Sequence, residues 1–122
     1  MKTIRRGKAT VLRLGSDDLT NPPRVEAAFD EILSLLDRRN IVVDMEGVTR
    51  LTSMALSALS AGAELVRDRH GRFAITGAGP GVERLIKMTD NSGLMVIADD
   101  VEAALRDIEA DDTPAAGDDP TP

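Results

Sequence analysis

The sequence predicts one α/β domain: a mostly parallel sheet of four to five strands, an N-terminal antiparallel hairpin and four helices. Three observations predict it. Short β-branched runs alternate with segments of helical period, which is how parallel strands joined by crossover helices read. The length, 122 residues with 42% hydrophobic content, allows a single modest core and no second domain. The chain has no Cys, which excludes a disulfide framework or a Cys-based metal site, so packing alone must hold the core.

The elements follow in order. Lys2 to Arg5 and Ala9 to Leu14 read as two extended segments with Gly7 as the hairpin turn. Asn21-Pro22-Pro23 reads as a helix start, with Asn21 as the cap and proline in the first turn. Val25, Ala28, Phe29, Ile32, Leu35 and Leu36 then form one helical face ending near Arg39. Ile41 to Met45 is a nearly continuous apolar run, as expected of a central strand covered on both faces. After the loop 46–52 comes a second helix with Leu56, Leu59, Ala63 and Val66 inward, ended by His70-Gly71. Phe73 to Thr76 is the next strand, and Gly77, Gly79 and Gly81 form a turn. Val82, Leu85 and Ile86 make a short helix, and Leu94 to Ile97 a strand. Val101, Ala104, Leu105 and Ile108 make a last helix capped by Asp99 or Asp100. The expected organisation is a domain over 1–109 and a disordered acidic tail over 110–122, too polar and proline-rich to pack.

Charge and composition remove several functions. Four of the 21 acids lie in the tail, so the body carries 15 bases against 17 acids. The low pI of about 4.7 is therefore largely a property of the tail. Lys2, Arg5, Arg6, Lys8 and Arg13 precede the first acid, a pattern that suits protection of an exposed edge strand. With no Trp, no Tyr and two Phe there is no stacking platform for single-stranded nucleic acid, and no nucleic-acid partner is expected. No apolar run approaches the ~20 residues a membrane span needs, and the start MKTIRRGK lacks a signal peptide's apolar stretch. A soluble, cytoplasmic protein with no direct membrane insertion is expected.

Two constellations imitate enzymes. Phe73 to Val82 follows a strand and opens a helix as a dinucleotide fingerprint does, and Asp99 lies about twenty residues on, where a ribose-binding acid belongs. The spacing fails, because Gly77 and Gly79 require a third glycine at Val82. Pro80 also removes an N–H that a phosphate would use. A tight structural turn is the better reading, and no cofactor is expected. A Ser–His–Asp hydrolase fails as well: no Ser lies in a G-x-S-x-G elbow, and His70, the single His, falls at a helix end in a charged run. No metal site and no catalytic residues are expected.

The informative segment is Leu51 to Ala63, thirteen residues without a charge. A surface helix normally carries charge on its outer face, but here the outward line runs Met54, Ser57, Ala61 and only then Glu64. Small uncharged side chains beside one exposed Met cost little to desolvate against another surface. Both neighbouring helices are accounted for by sheet packing, which points to a partner rather than to another helix of the chain. Ser53, at the head of this helix, reads as an N-cap. It is also placed where phosphorylation would add about −1.5 to −2 charges to a surface that has none.

These residues resemble a family. Ile41-Val-Val-Asp-Met-Glu-Gly-Val48 followed by Leu51-Thr-Ser-Met-Ala-Leu56 resembles the STAS domain of anti-sigma factor antagonists, in which a strand leads through a short loop to Asp-Ser-Ser/Thr-Gly-Leu at a helix start. Val82-Glu-Arg-Leu-Ile-Lys-Met88 and Ser92-Gly-Leu94 resemble the family's later helix and loop, and the element order matches from about Lys2 to Ile108. The resemblance puts Ser53 at the phosphorylated Ser and Leu56 at the Leu. Thr52 stands where the family has Asp, Met54 where it has Ser or Thr, and Ala55 where it has Gly. The family implies partner switching. The unphosphorylated protein binds a GHKL-type serine kinase that is also an anti-sigma factor, the kinase phosphorylates the Ser with ATP, and a metal-dependent phosphatase resets the cycle. The implied partner surface is Thr52, Ser53, Met54, Ser57 and Ala61, on a substrate and ligand with no catalysis of its own. Two alternatives follow: a constitutive STAS subunit of an ABC lipid transporter or stress-sensing assembly, and a small nucleotide-binding protein using Gly77 to Gly81.

Overall fold

A computed structural model describes residues 1–34, 39–90 and 93–111 of the chain, with Asp111 described in its backbone alone. Five strands form one sheet in the order β1-β2-β3-β4-β5. They are β1 Lys2–Arg6, β2 Ala9–Gly15, β3 Asn40–Gly47, β4 Phe73–Thr76 and β5 Met95–Ala98. The helices are α1 Pro22–Leu33, α2 Ser53–Asp68, α3 Pro80–Thr89 and α4 Val101–Asp111. A single 3-10 turn over Asp18–Thr20 precedes α1. The expected architecture is present: β1 pairs antiparallel with β2, and every other neighbouring pair is parallel. Gly7 makes the hairpin turn at φ +57°, a conformation that favours glycine. The basic strand β1 forms the edge and has no buried residue.

Side-chain alternation along the strands sorts the core into two faces. Leu12, Leu14, Ile41, Val43, Met45, Phe73 and Ile75 point to one side and pack with α1, α2 and α3. Ala9, Val11, Val42 and Ala74 point to the other and pack with Ala104 and Ile108 of α4. The first six residues of β3 are all buried, as a strand covered on both faces requires. Helices α1 and α2 touch closely because position 62 is glycine: a Cβ there would stand 2.5 Å from the Phe29 ring. Phe29 in turn meets Phe73 edge-on, with ring centroids 5.7 Å apart.

The structure corrects several details. Asn21 precedes α1 but its side chain makes no cap hydrogen bond; two prolines already fill the first turn and leave fewer N–H groups to cap. Helix α1 ends at Leu33 with Ser34 as its C-cap, and Leu35 and Leu36 lie outside the described residues. Leu85 is 43% exposed, since Val82 and Ile86 alone face the core from α3. Strand β5 starts at Met95 rather than Leu94, because Asp90 holds the backbone N–H groups of both residues at 3.0 and 2.9 Å. Asp100, not Asp99, caps α4 through Ala103 N–H at 2.7 Å. Helix α4 runs to Asp111, two residues past the expected end of the domain; 112–122 lie outside the described residues.

Candidate functional site

Strand β3 delivers the chain to one end of the sheet, where a loop and the start of α2 carry the predicted site. Asp44, near the end of β3 and 6% exposed, accepts from Arg13 Nε at 3.1 Å and from the Glu46 backbone N–H at 3.1 Å. These bonds fix the end of β3 to its neighbour β2 and to its own next residues. Gly77 fits against the same segment: at φ +72°, a Cβ on it would come 2.9 Å from the Glu46 nitrogen. The glycine the sequence offered to a nucleotide therefore serves packing. Gly79 is the N-cap of α3 with extended backbone. Ser16 then ties β2 to the loop, its hydroxyl accepting from Thr49 N–H at 3.0 Å.

The start of α2 differs from expectation in one respect that matters. Thr52, not Ser53, is the N-cap: its Oγ1 accepts from Ala55 N–H at 3.1 Å and its carbonyl accepts from Leu56 N–H at 2.9 Å. Ser53 is the first helical residue, exposed, and its hydroxyl makes no hydrogen bond among the described residues. Sequence reasoning missed this because Thr and Ser are both good caps and helix starts are hard to place within a residue.

The structure brings the five predicted partner residues onto one surface. Thr52, Ser53, Met54, Ser57 and Ala61 are all exposed, Met54 to 70%, while Ala55, Leu56, Ala58, Leu59, Gly62, Ala63 and Val66 are buried. Among the described residues no other helix covers this line. Leu65, 37% exposed, lengthens the uncharged stripe by one turn beyond what was expected. His70 lies at the far end of α2, in the left-handed region at φ +61°. The 16 residues of α2 span about 24 Å, so His70, beyond their far end, does not form a Ser–His pair with Ser53. His70 instead completes the helix's C-terminal turn, with its N–H on Arg67 O at 2.8 Å and Gly71 N–H on Val66 O at 2.9 Å.

A feature the sequence did not single out lies beside the stripe. Ser53, Leu56, Ser57, Ser60, Ala61 and Glu64 of α2 form with Thr89 of α3 an open groove of about 400 Å³. The approach of Thr89 to α2 was not legible because no local pattern specifies which end of a short helix meets a neighbour. Among the described residues no three metal-ligating side chains cluster, and no helix is long and apolar enough to cross a membrane.

The sheet order, the hairpin and the helix that follows the β3 loop define a STAS domain. The profile of the family described as "Mlab, STAS domain" matches residues 1–97, and the chain belongs to that family. The fold is similar to that of the Thermotoga maritima protein TM1081, with 18% identity, a TM-score of 0.76, and 88% of this chain and 86% of that one covered. It is similar to a chain of the stressosome, described as a signal integration and transduction hub, with 16% identity, a TM-score of 0.74 and coverage of 89% and 96%. It is also similar to an anti-sigma-factor antagonist (STAS) domain protein from Planctomyces limnophilus, with 17% identity, a TM-score of 0.74 and coverage of 88% and 97%. No curated protein sequence matches the chain.

Proposed function

We propose that this STAS domain is a regulatory binding module that docks on a GHKL-type serine kinase acting as an anti-sigma factor, and that phosphorylation of Ser53 ends the contact. The supporting observation is the division of labour at the start of α2: Thr52 caps the helix, which leaves the Ser53 hydroxyl exposed on an uncharged surface. The backbone before Ser53 is non-helical, so a kinase can engage it as an extended segment. Ser57 sits inside the helix and would first have to be unwound, and the Thr52 hydroxyl is occupied. A phosphate on Ser53 would lie at the helix's N-terminus, where the macrodipole favours negative charge. The fold then survives while the surface gains about −1.5 to −2 charges. The protein is the substrate and ligand of this scheme, with a metal-dependent phosphatase to reset it, and performs no catalysis itself.

The second reading, a constitutive subunit of an ABC lipid transporter or stress-sensing assembly, is favoured by Met54, which makes the exposed helix start bulkier than the motif it resembles. Two variants separate the readings. Met54→Arg abolishes binding under both. Ser53→Asp weakens binding tenfold or more (about 1.4 kcal/mol) if the site is a switch, and leaves it unchanged if the module is constitutive. Mass spectrometry after incubation with the cognate kinase and ATP should place the phosphate on Ser53. Unchanged binding by Met54→Arg would refute both readings.

A further inference from the structure

We propose that Met54 is a modification site: a hydroperoxide oxidises its thioether to the sulfoxide, and the polar group so placed on the uncharged face of α2 ends the contact with the partner while Ser53 is still unphosphorylated. This rests on the reading of α2 as the partner surface and adds a second input to it. Three observations carry the inference. The chain has no Cys, so no thiol of its own competes for the oxidant. Its five methionines differ sharply in access: Met45 and Met95 are buried, Met1 is 38% exposed, and Met54 and Met88 are 70% and 71% exposed. Of the two that stand open, Met54 belongs to the stripe with Thr52, Ser53, Ser57 and Ala61, whereas Met88 lies on α3.

The chemistry is local and balanced. The sulfur lone pair attacks one peroxide oxygen, the O–O bond breaks and an S–O bond forms. The sulfur gives up two electrons, and the rest of the hydroperoxide leaves as water or the corresponding alcohol. A thiol-dependent reductase reverses the step, two thiols going to a disulfide and the oxygen to water. Sulfoxidation turns a flexible apolar side chain into a polar, hydrogen-bond-accepting one. Among the described residues α2 exposes two large apolar side chains, Met54 and the less open Leu65, so Met54 supplies much of the apolar area this face offers a partner. An interface matched to a thioether needs no donor at that point, and burying the new oxygen unbonded carries a desolvation penalty. The fold is left alone: the side chain is open to water, and the cap bond from Ala55 N–H to Thr52 Oγ1 does not involve it.

The test uses the full chain carrying Met88→Leu, which leaves Met54 as its one strongly exposed methionine among the described residues. Hydrogen peroxide is the oxidant and the serine kinase of the proposed function is the partner, without ATP. Peptide mass spectrometry counts the sulfoxide at each methionine, and calorimetry gives the affinity. Met54 should oxidise at least tenfold faster than Met45 and Met95. The chain oxidised at Met54 should bind at least tenfold more weakly than before treatment, with its melting temperature unchanged, and a methionine sulfoxide reductase with thiol should restore it. With Met54→Leu added, the affinity, whatever its starting value, should stay within twofold through the same treatment. The inference falls if the Met54 sulfoxide binds within twofold of the reduced chain, if the chain with Met54→Leu loses affinity to peroxide as well, or if the melting temperature drops with the affinity. Weakened binding by Met54→Arg in any of these cases leaves the proposed function standing. If Met54→Arg binds as wild type does, the reading of α2 fails and this inference with it.

Discussion

Replacing Thr52 and Ser53 by alanine, one at a time, separates two neighbouring hydroxyls with different duties. In Thr52→Ala the Ala55 N–H loses its acceptor at 3.1 Å. Ala55 is fully buried and Thr52 exposed, so water reaches the freed N–H from one side only. The Leu56 N–H bond to the residue 52 carbonyl, 2.9 Å, needs no side chain and keeps the helix start in place. The cost therefore falls in the middle of the range for lost caps, about 1 kcal/mol. For a domain of this size that lowers the melting temperature by roughly 4–8 °C. Ser53→Ala removes a hydroxyl with no hydrogen bond among the described residues and substitutes a better helix former, so it stays within about 0.5 kcal/mol of wild type. Calorimetric or urea unfolding of the two variants, with equal m-values as the check on the denatured state, measures the difference. A loss of several degrees in Ser53→Ala with Thr52→Ala silent would refute the assignment. The helix would then start one residue later, and a phosphate on Ser53 would disturb the fold as well as the interface.

Gly62→Ala forces a methyl group to 2.5 Å from the Phe29 ring and should destabilise by about 1–3 kcal/mol as α1 is pushed from α2; an unchanged urea midpoint would contradict the packing. Thr76→Val should stabilise by about 1 kcal/mol, because the Thr76 hydroxyl is buried without a partner among the described residues and an isosteric methyl removes its desolvation cost. Burial alone would raise the Asp18 pKa, but the Gly15 N–H, the N-terminal ammonium and Arg24 outweigh it, and the net shift is downward. A lowered folded pKa means that this stabilisation is complete above the unfolded value near 3.8 and is lost as pH falls through the folded one. Asp18→Asn should therefore flatten the acid limb of the stability curve, and an identical limb in wild type and variant would count against it.

The fold was legible where one physical requirement dominated. The run Ile41 to Met45 suits a strand buried on both faces, and the existence of the helix after the β3 loop reads correctly because burial and period agree. Errors cluster where two chemistries compete for one position. Thr52 and Ser53 are both capping residues, and the choice depends on where the loop from β3 releases the chain, which the Asp44 and Ser16 bonds decide. Leu85 keeps the helical period of a core residue, but a ten-residue helix against one sheet face buries only Val82 and Ile86. Asp90 was not read as a structural residue at all; its carboxylate sets the first residue of β5 through contacts invisible to local patterning. The groove beside α2 required knowing that Thr89, at the end of α3, comes next to it, which no local pattern specifies.

The three departures from the motif this helix resembles have different consequences, and the structure sorts them. Ala55 in place of Gly points into the core and is fully buried, so it changes nothing that a partner meets. Thr52 in place of Asp keeps the cap and removes a charge. Met54 in place of Ser or Thr adds an exposed apolar side chain. Together they leave the exposed start of α2 more apolar and more neutral, with Glu64 the first charge along the helix. Binding should then depend weakly on salt: between ~0.1 and ~1 M, where the Debye length shrinks from about 10 to 3 Å, affinity should change by no more than about fivefold, the worth of one exposed ion pair. The same neutrality makes an added phosphate the strongest electrostatic feature of the site, so the salt dependence of a Ser53→Asp variant should exceed that of wild type. Calorimetric titrations at several salt concentrations measure both slopes. A wild-type affinity that falls by a hundredfold over that range would show that charges outside this helix face dominate the contact.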